Sequence, residues 1–235
     1  STGLTSGLQH IAFIPDGNRR WARSHGALTT FVGHKLGFEK VKQLCVSLIN
    51  HGIKYATLFC FSSENWNRST EEITYLMDLF RSLFADSDDF LRNNGVKIEV
   101  VGDLARLPDD LQDKISILKE RTKDNDKITF ICAISYSGRE EIVRATKKIA
   151  QDVLDKKINI NDIDECKFES CLDLPGVPYP DVVVRTSEQR ISNFLLWEIA
   201  YSELIFLDKL WPDLTEKDIR FIIEDFSKRK RRYGK

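Results

Sequence analysis

His10-Ile11-Ala12-Phe13-Ile14-Pro15-Asp16-Gly17-Asn18-Arg19-Arg20-Trp21 runs a short apolar strand straight into a polar turn that holds a carboxylate, a glycine and two arginines. Glycine lets backbone N–H groups come close to an anion, and the N-terminus of a following helix adds partial positive charge. The planar fork of arginine matches phosphate oxygens. Asp16 would repel such an anion unless a hard cation sat between them, so the turn reads as a metal-diphosphate site with Mg2+ as the natural ion. A strand ending in an ordinary solvated turn is the plain alternative.

Outward from this stretch, β-branched apolar runs recur with helical patterns between them. The runs His10–Ile14, Tyr55–Ser62, Lys97–Val101, Ile128–Ser135, Asp181–Arg185 and Leu204–Leu207 predict six strands. From Glu71 onward Ile73, Leu76, Met77, Phe80, Leu83 and Phe84 fall on one helical stripe, and further helices are expected over 38–50, 109–122, 139–155 and 215–231. The expectation is a single α/β domain over 1–235, with a central, mostly parallel six-stranded sheet flanked by helices, a flexible N-terminus over 1–8 and a basic tail over 228–235.

The 235 residues are 42% hydrophobic and contain no Pro/Gly/Ser-rich linker, which allows one large core. A net charge of −1 gives no general attraction to nucleic acid or to an anionic membrane, so phosphate binding must come from locally grouped arginines. Five cysteines, an odd number without a Cys-x-x-Cys pair, read as reduced thiols rather than disulfides or zinc ligands. With no secretory signal and no long apolar span, the expected location is the cytoplasm, with peripheral contact at the inner face of the membrane. Asp109-Asp110-Leu111-Gln112-Asp113 has a DDxxD spacing, but Pro108 followed by carboxylates is how a surface helix begins.

In open α/β sheets ligands bind beyond the carboxyl ends of the strands. The three densest polar clusters, 16–20, 62–68 and 185–192, all sit there and are expected to converge on one crevice.

The chain resembles the cis-prenyltransferases, the undecaprenyl diphosphate synthase family. The resemblance lies in Asp16-Gly17-Asn18-Arg19-Arg20-Trp21, in Phe61-Ser62-Ser63-Glu64-Asn65-Trp66-Asn67-Arg68, in Arg185-Thr186 to Arg190-Ile191-Ser192-Asn193-Phe194-Leu195-Leu196-Trp197, and in Ala200-Tyr201-Ser202-Glu203-Leu204. Leu210-Trp211-Pro212-Asp213 and the closing Arg232-Tyr233-Gly234 complete an ordered set that covers nearly the whole chain. It implies condensation of isopentenyl diphosphate with an allylic diphosphate such as farnesyl diphosphate, forming a cis double bond and releasing diphosphate, with an undecaprenyl-like product.

Set against that chemistry, Gly17, Asn18, Arg19, Arg20 and Arg68 supply donors for charge developing on the leaving diphosphate. Arg185, Arg190 and Ser192 form an anion clamp for isopentenyl diphosphate. Asp16 and Glu203 are the metal-ligand candidates, and the family places Asp213 near the same acidic cluster. Asn65 stands where the family's proton-removal step is assigned, yet a neutral amide is no strong base, so it is expected to orient substrate or relay the proton. Trp21, Phe61 and Trp66 are expected to wall the reacting carbons from water. By resemblance His34 lies near the allylic diphosphate, and Arg232 and Gly234 reach across a homodimer to the partner's isopentenyl diphosphate site. The helix over 71–90 and the strand over 128–134 are candidate walls of a prenyl channel.

Four departures from the family pattern stand out: Pro15 before the aspartate, a longer 26–33 segment without an arginine near Thr29, a shortened Arg185–Arg190 loop with Gln189 in place of a histidine, and Ser135-Tyr136-Ser137-Gly138-Arg139. A noncatalytic partner subunit is the rival reading, but one polypeptide here keeps both the catalytic residues and the terminal Arg-Tyr-Gly. A nucleotide phosphotransferase would need a Gly-x-x-x-x-Gly-Lys loop, which the chain lacks.

Overall fold

The computed structural model describes residues 7–86 and 88–235. In chain order the elements are β1 (His10–Ile14), α1 (Asn18–Ser24), α2 (Phe31–Asn50), β2 (Tyr55–Ser62), α3 (Thr70–Asp86), α4 (Asp88–Asn94), β3 (Val96–Val101), α5 (Asp109–Thr122), β4 (Ile128–Tyr136), α6 (Gly138–Leu154), α7 (Glu165–Glu169), β5 (Val182–Thr186), β6 (Glu203–Leu207) and α8 (Glu216–Lys228). All six expected strands form, in the order β3-β4-β2-β1-β5-β6, and every pairing is parallel. The helical stripe that begins near Glu71 is carried by α3, with α4 a separate short helix.

Strand alternation divides the core. Ile11 and Phe13 of β1 face the larger cluster, built with Leu44 and Leu48 of α2, Leu76 and Phe80 of α3, Leu111 and Ile115 of α5, and Ile222 and Ile223 of α8. Ala12 and Ile14 face the other side, packed with Ile131 and Ala133 of β4 and with Phe194, Leu195 and Ile199 from the segment before β6. Burial on both faces is why the strands read as continuous apolar runs rather than as alternating ones.

The order also fixes where a ligand can enter. From β1 the chain builds outward through β2, β4 and β3 on one side and β5 and β6 on the other, so the loops that follow β1, β2 and β5 diverge around a switch point. Register seats them level, Ile14 beside Arg185.

Contacts near both ends hold the chain against the fold. Residues 1–6 of the supposedly loose N-terminus lie outside the described residues, but Leu8 is buried in the core, because the amides of Gln9 and His10 donate to the Asp181 carboxylate at 2.8 and 3.0 Å. The basic tail packs back on the fold: Arg231 donates to Asp181 at 2.7 Å and lies over the Tyr233 ring. As read from the sequence, Asp109 opens α5 directly after Pro108, and Asp110 is held by Arg81.

Candidate active site

Asp16 leaves the end of β1 with its backbone clamped on three sides. Its carbonyl accepts from the hydroxyls of Thr186 (2.7 Å) and Ser187 (2.9 Å) and from the Trp211 amide (2.9 Å), while its own N–H donates to Thr186 Oγ1. The turn that follows requires glycine. Gly17 has φ +110°, and a Cβ there would lie 2.5 Å from Ser187 Oγ. Such fixing holds the Asp16 carboxylate toward the cavity, where Oδ2 accepts from Arg185 at 2.8 Å. No hydrogen bond among the described residues uses Oδ1.

Arg185 is buried at the end of β5 and spends its other terminal nitrogen on the Ser192 hydroxyl (2.6 Å) and the Arg190 carbonyl (2.8 Å). Those two bonds draw the 187–192 loop around the guanidinium.

From β2 comes a 310 turn, Ser63–Asn67, closed by a reciprocal cap in which the Ser62 hydroxyl accepts from the Asn65 amide and Asn65 Oδ1 accepts from the Ser62 N–H. The Asn65 carbonyl oxygen is therefore occupied, and its NH2, a donor only, is left to face the cavity. A β-bulge around Cys60 precedes this turn and re-aims the strand's last residues.

The third element is α2, on which Gly33 and Gly37 let α1 come close: a Cβ on Gly33 would sit 1.8 Å from the Asn18 carbonyl. Beside them His34 is buried and shares Glu72 Oε1 of α3 (2.9 Å) with Arg68 (3.1 Å), while Arg19 lies 3.9 Å away. Burial, with Arg68 and Arg19 nearby, lowers the His34 pKa against the opposing pull of Glu72. Burial works to raise the Glu72 pKa but is outweighed by the His34 bond and the Arg68 and Arg19 charges, which hold it below the usual carboxylate value.

These elements enclose one cavity of about 1030 Å3. Its mouth is polar, lined by Asp16, Gly17, Asn18, Arg19, Arg20, His34, Ser62, Glu64, Asn65, Arg68, Arg185, Ile191 and Ser192, together with Arg23 and Arg139. Its depth is apolar, running between α2 and α3 past Phe38, Val41, Leu58, Cys60, Leu76, Phe80, Leu83 and Cys132. The three expected clusters thus meet. A void of about 30 Å3 lies beyond and shares Val41, Leu83 and Cys132 with the cavity.

Other expected residues stand elsewhere. Trp21 stacks on His25 and donates to Asp213 outside the cavity. Phe61 points into the larger core, and Trp66 packs on it and donates to Ser135, so the aromatic walls are Phe38, Phe59, Phe80 and Trp211 instead. Ser63 does not line the cavity, and the exposed Arg190 side chain pairs with Glu188. Glu203 opens β6, level with Val182 at the opposite end of the strands from Asp16, and is paired with Arg229. Arg232 and Gly234 lie at that far end too, where Tyr233 packs against Tyr201. A single copy of the chain therefore does not bring Asp16 and Glu203 to one ion.

The Prenyltransf family model, described as putative undecaprenyl diphosphate synthase, matches residues 14–234. The chain belongs to the undecaprenyl diphosphate synthase family of cis-prenyltransferases. It is 45% identical to an isoprenyl transferase of Thermotoga maritima, over 96% of each chain. It is 42% identical to a geranylgeranyl-diphosphate-specific tritrans,polycis-undecaprenyl-diphosphate synthase of Picrophilus torridus, over 96% of this chain and 89% of that one. The crystal structure of lavandulyl diphosphate synthase from Lavandula x intermedia, in complex with dimethylallyl diphosphate, superposes with a TM-score of 0.93 at 36% identity, covering 97% of this chain and 98% of that one. The enzyme is a prenyl transferase. Among the described residues no helix is long and apolar enough to cross a membrane.

Reading the sequence missed several members of this prenyltransferase site. Glu72, in the first turn of α3 and four residues after Arg68, had a detectable ion-pair spacing. Glu188, which holds both Arg20 and Arg190, had no such signal, and Asn193 showed only as a member of the family block over 190–197.

A second cavity, about 320 Å3, lies on the other face of the sheet. His10 lines it, with Nδ1 2.6 Å from the Pro178 carbonyl and Nε2 2.8 Å from the Thr57 hydroxyl, and burial pushes its pKa down to about 4. Glu198 and Glu141 face each other there. Burial, with Glu141 beside it, pushes Glu198 up to about 9.

Proposed function

We propose that the chain condenses isopentenyl diphosphate with an allylic diphosphate, farnesyl diphosphate first among them, to a long cis-polyprenyl diphosphate of undecaprenyl type, in a Mg2+-dependent reaction. One observation carries this reading: a single cavity has a cationic mouth at the strand ends and an apolar channel behind it. Diphosphate belongs in the mouth and a prenyl chain in the channel. Each added five-carbon unit gains roughly 3–4 kcal/mol on burial, at ~0.8 kcal/mol per CH2, so intermediates stay bound for repeated addition.

Ionisation of the allylic C–O bond moves negative charge onto the leaving diphosphate, and Arg19, Arg20 and Arg68 with the N–H groups of the Gly17–Asn18 turn stabilise it. Arg185 and Ser192 hold isopentenyl diphosphate so that its double bond faces the allylic carbon. The Asn65 NH2 orients that substrate, and the proton passes to released diphosphate or to a nearby carboxylate. Phe38, Phe59 and Phe80 keep water from the allylic carbon.

The donor set suits Mg2+: Asp16 Oδ1 carries no hydrogen bond among the described residues, and Mg2+ habitually takes one or two carboxylates plus phosphate oxygens and waters. Asp16 would hold the ion, which would supply positive charge to offset the negative charge of the diphosphate.

A homodimer accounts for the far cluster. Arg232, Gly234 and Glu203 sit together away from their own chain's Asp16, and β6 is an edge strand exposing Leu204 and Phe206. Product release involves peripheral contact with a membrane.

The test is incubation of the purified chain alone with labelled isopentenyl diphosphate, farnesyl diphosphate and Mg2+, resolving products by length. A ladder closing on one long cis product supports the reading. No product from folded, diphosphate-binding chain would reassign it as a noncatalytic subunit of a heteromeric enzyme.

A further inference from the structure

Asn193 sits between two halves of the site, the loop after β5 and the turn after β2, and bonds to both sides. Its backbone is left-handed, with φ +63°, a conformation asparagine tolerates better than most residues, and it follows Ser192, itself at φ +50°. Every polar group of Asn193 beyond its own N–H has a partner. Its carbonyl accepts from the Gly138 N–H at 2.8 Å. The side-chain Oδ1 accepts from the Arg139 N–H at 2.9 Å. The side-chain Nδ2 donates to Ser137 Oγ at 2.7 Å and to Glu64 Oε1 at 3.2 Å.

Those partners belong to different strands. Ser192, the preceding residue, bonds Arg185 at the end of β5, whereas Glu64 lies beside Asn65 in the turn after β2, and Ser137 and Arg139 open α6 after β4. Arg185, Ser192, Asn193, Glu64 and Asn65 thus form one continuous connection along the cavity wall from the end of β5 to the turn after β2.

We propose that Asn193 is a positioning residue: its side-chain amide sets the distance between the Arg185–Ser192 clamp and the Asn65 turn, so that isopentenyl diphosphate held at one end is aligned at the other. It acts through Ser192 and Glu64. This role rests on the proposed reaction for its kinetic consequences. Its structural consequence, a turn kept ordered by an amide clasp, holds without any substrate.

The test compares Asn193→Gly, Asn193→Asp, Glu64→Gln and the double variant Asn193→Asp/Glu64→Gln. Glycine keeps the left-handed backbone and the Gly138 bond while deleting the amide, so a loss there is not backbone strain. Aspartate removes the donor and sets a like charge against Glu64. The double variant reverses the bond, because the glutamine amide introduced at position 64 can donate to the carboxylate introduced at position 193.

For Asn193→Gly we expect kcat to fall about 10- to 100-fold, as misplacement of a reacting group does, with KM for the allylic diphosphate changed less than twofold. Asn193→Asp should be at least as slow, and the double variant should recover tenfold or more over it. Hydrogen exchange without substrate should show faster exchange of the 62–68 turn in Asn193→Gly, restored protection in the double variant, and unchanged β1 and β4. Wild-type kcat in Asn193→Gly, no recovery in the double variant, or a 62–68 turn as protected as in wild type would each overturn the role. If the wild-type chain makes no product, the proposed reaction fails and hydrogen exchange alone decides the clasp.

Discussion

Arg185 donates to the Asp16 carboxylate across 2.8 Å, so the most buried guanidinium of the site is already neutralised by the acid expected to hold its metal. An incoming diphosphate must share Arg185 with Asp16. In Asp16→Asn the competing charge is gone, and inorganic diphosphate should bind more tightly than to wild type in EDTA. Adding Mg2+ should reverse the ranking, because only wild type offers a carboxylate to the ion. Product formation should fall roughly 10²–10³-fold, on the scale of losing one preorganised group at a developing charge. Calorimetry with and without Mg2+ checks the crossover; identical ranking in both conditions would refute it.

Glu72 gathers Arg68, Arg19 and His34 on one buried oxygen. In Glu72→Gln the two arginines should swing free while the fold survives. KM for farnesyl diphosphate should then rise about tenfold, equivalent to about 1.4 kcal/mol of binding, with KM for isopentenyl diphosphate little changed. Steady-state kinetics with each substrate varied in turn separates the two; a rise shared equally would place Glu72 in general stability.

Two buried groups on the opposite face of the sheet set the pH limits of stability. His10 has a folded pKa of about 4, below its unfolded 6.5, so its contribution is complete above pH 6.5 and is lost as pH falls toward 4. Glu198 has a folded pKa of about 9, above its unfolded 4.5, so its contribution is complete below pH 4.5 and is lost as pH rises toward 9. Chemical denaturation across pH 4–9 should give a dome. Glu198→Gln should flatten the alkaline side and raise stability at pH 8 by about 1–3 kcal/mol, because the amide has no proton to lose. A dome unchanged by that substitution would exclude Glu198 as its cause.

Val41, Leu83 and Cys132 line both the apolar depth of the cavity and the small void beyond it. Leu83→Ala should join the two spaces and lengthen the longest product, whereas Cys132→Phe should shorten it. Thin-layer resolution of the product ladder reads both; the same terminal length in all three proteins would put the length control elsewhere.

The strands were legible because a parallel sheet buried on both faces writes itself as uninterrupted Val/Ile/Phe runs, and the clusters after β1, β2 and β5 were legible because polar residues at strand ends stand out against them. The core beneath hid the rest. Trp21 and Trp66 look in the sequence like walls of a hydrophobic site, but each indole N–H found a partner away from the cavity, Asp213 for one and Ser135 for the other. Glu203 matched a metal ligand by motif, yet motif order says nothing of which end of a strand a residue occupies, and it opens β6 where Asp16 follows the close of β1. The contacts of Asn193 and Glu188 were invisible because they are long-range hydrogen bonds and ion pairs, 129 residues apart for Asn193 and Glu64 and 168 for Arg20 and Glu188.

The division of the chain into an Asp16 end and an Arg232 end has a genetic meaning. If each site of the proposed dimer draws one end from each copy, two inactive proteins, Asp16→Ala and Arg232→Ala, should rescue one another when co-expressed. Random pairing makes half the dimers mixed, and each mixed dimer holds one intact site and one doubly damaged site, so roughly a quarter of wild-type activity should return. Mixing that restores nothing would mean that each copy works alone. Recovery would make the two lesions allelic yet complementing, a behaviour normally taken as the mark of separate genes.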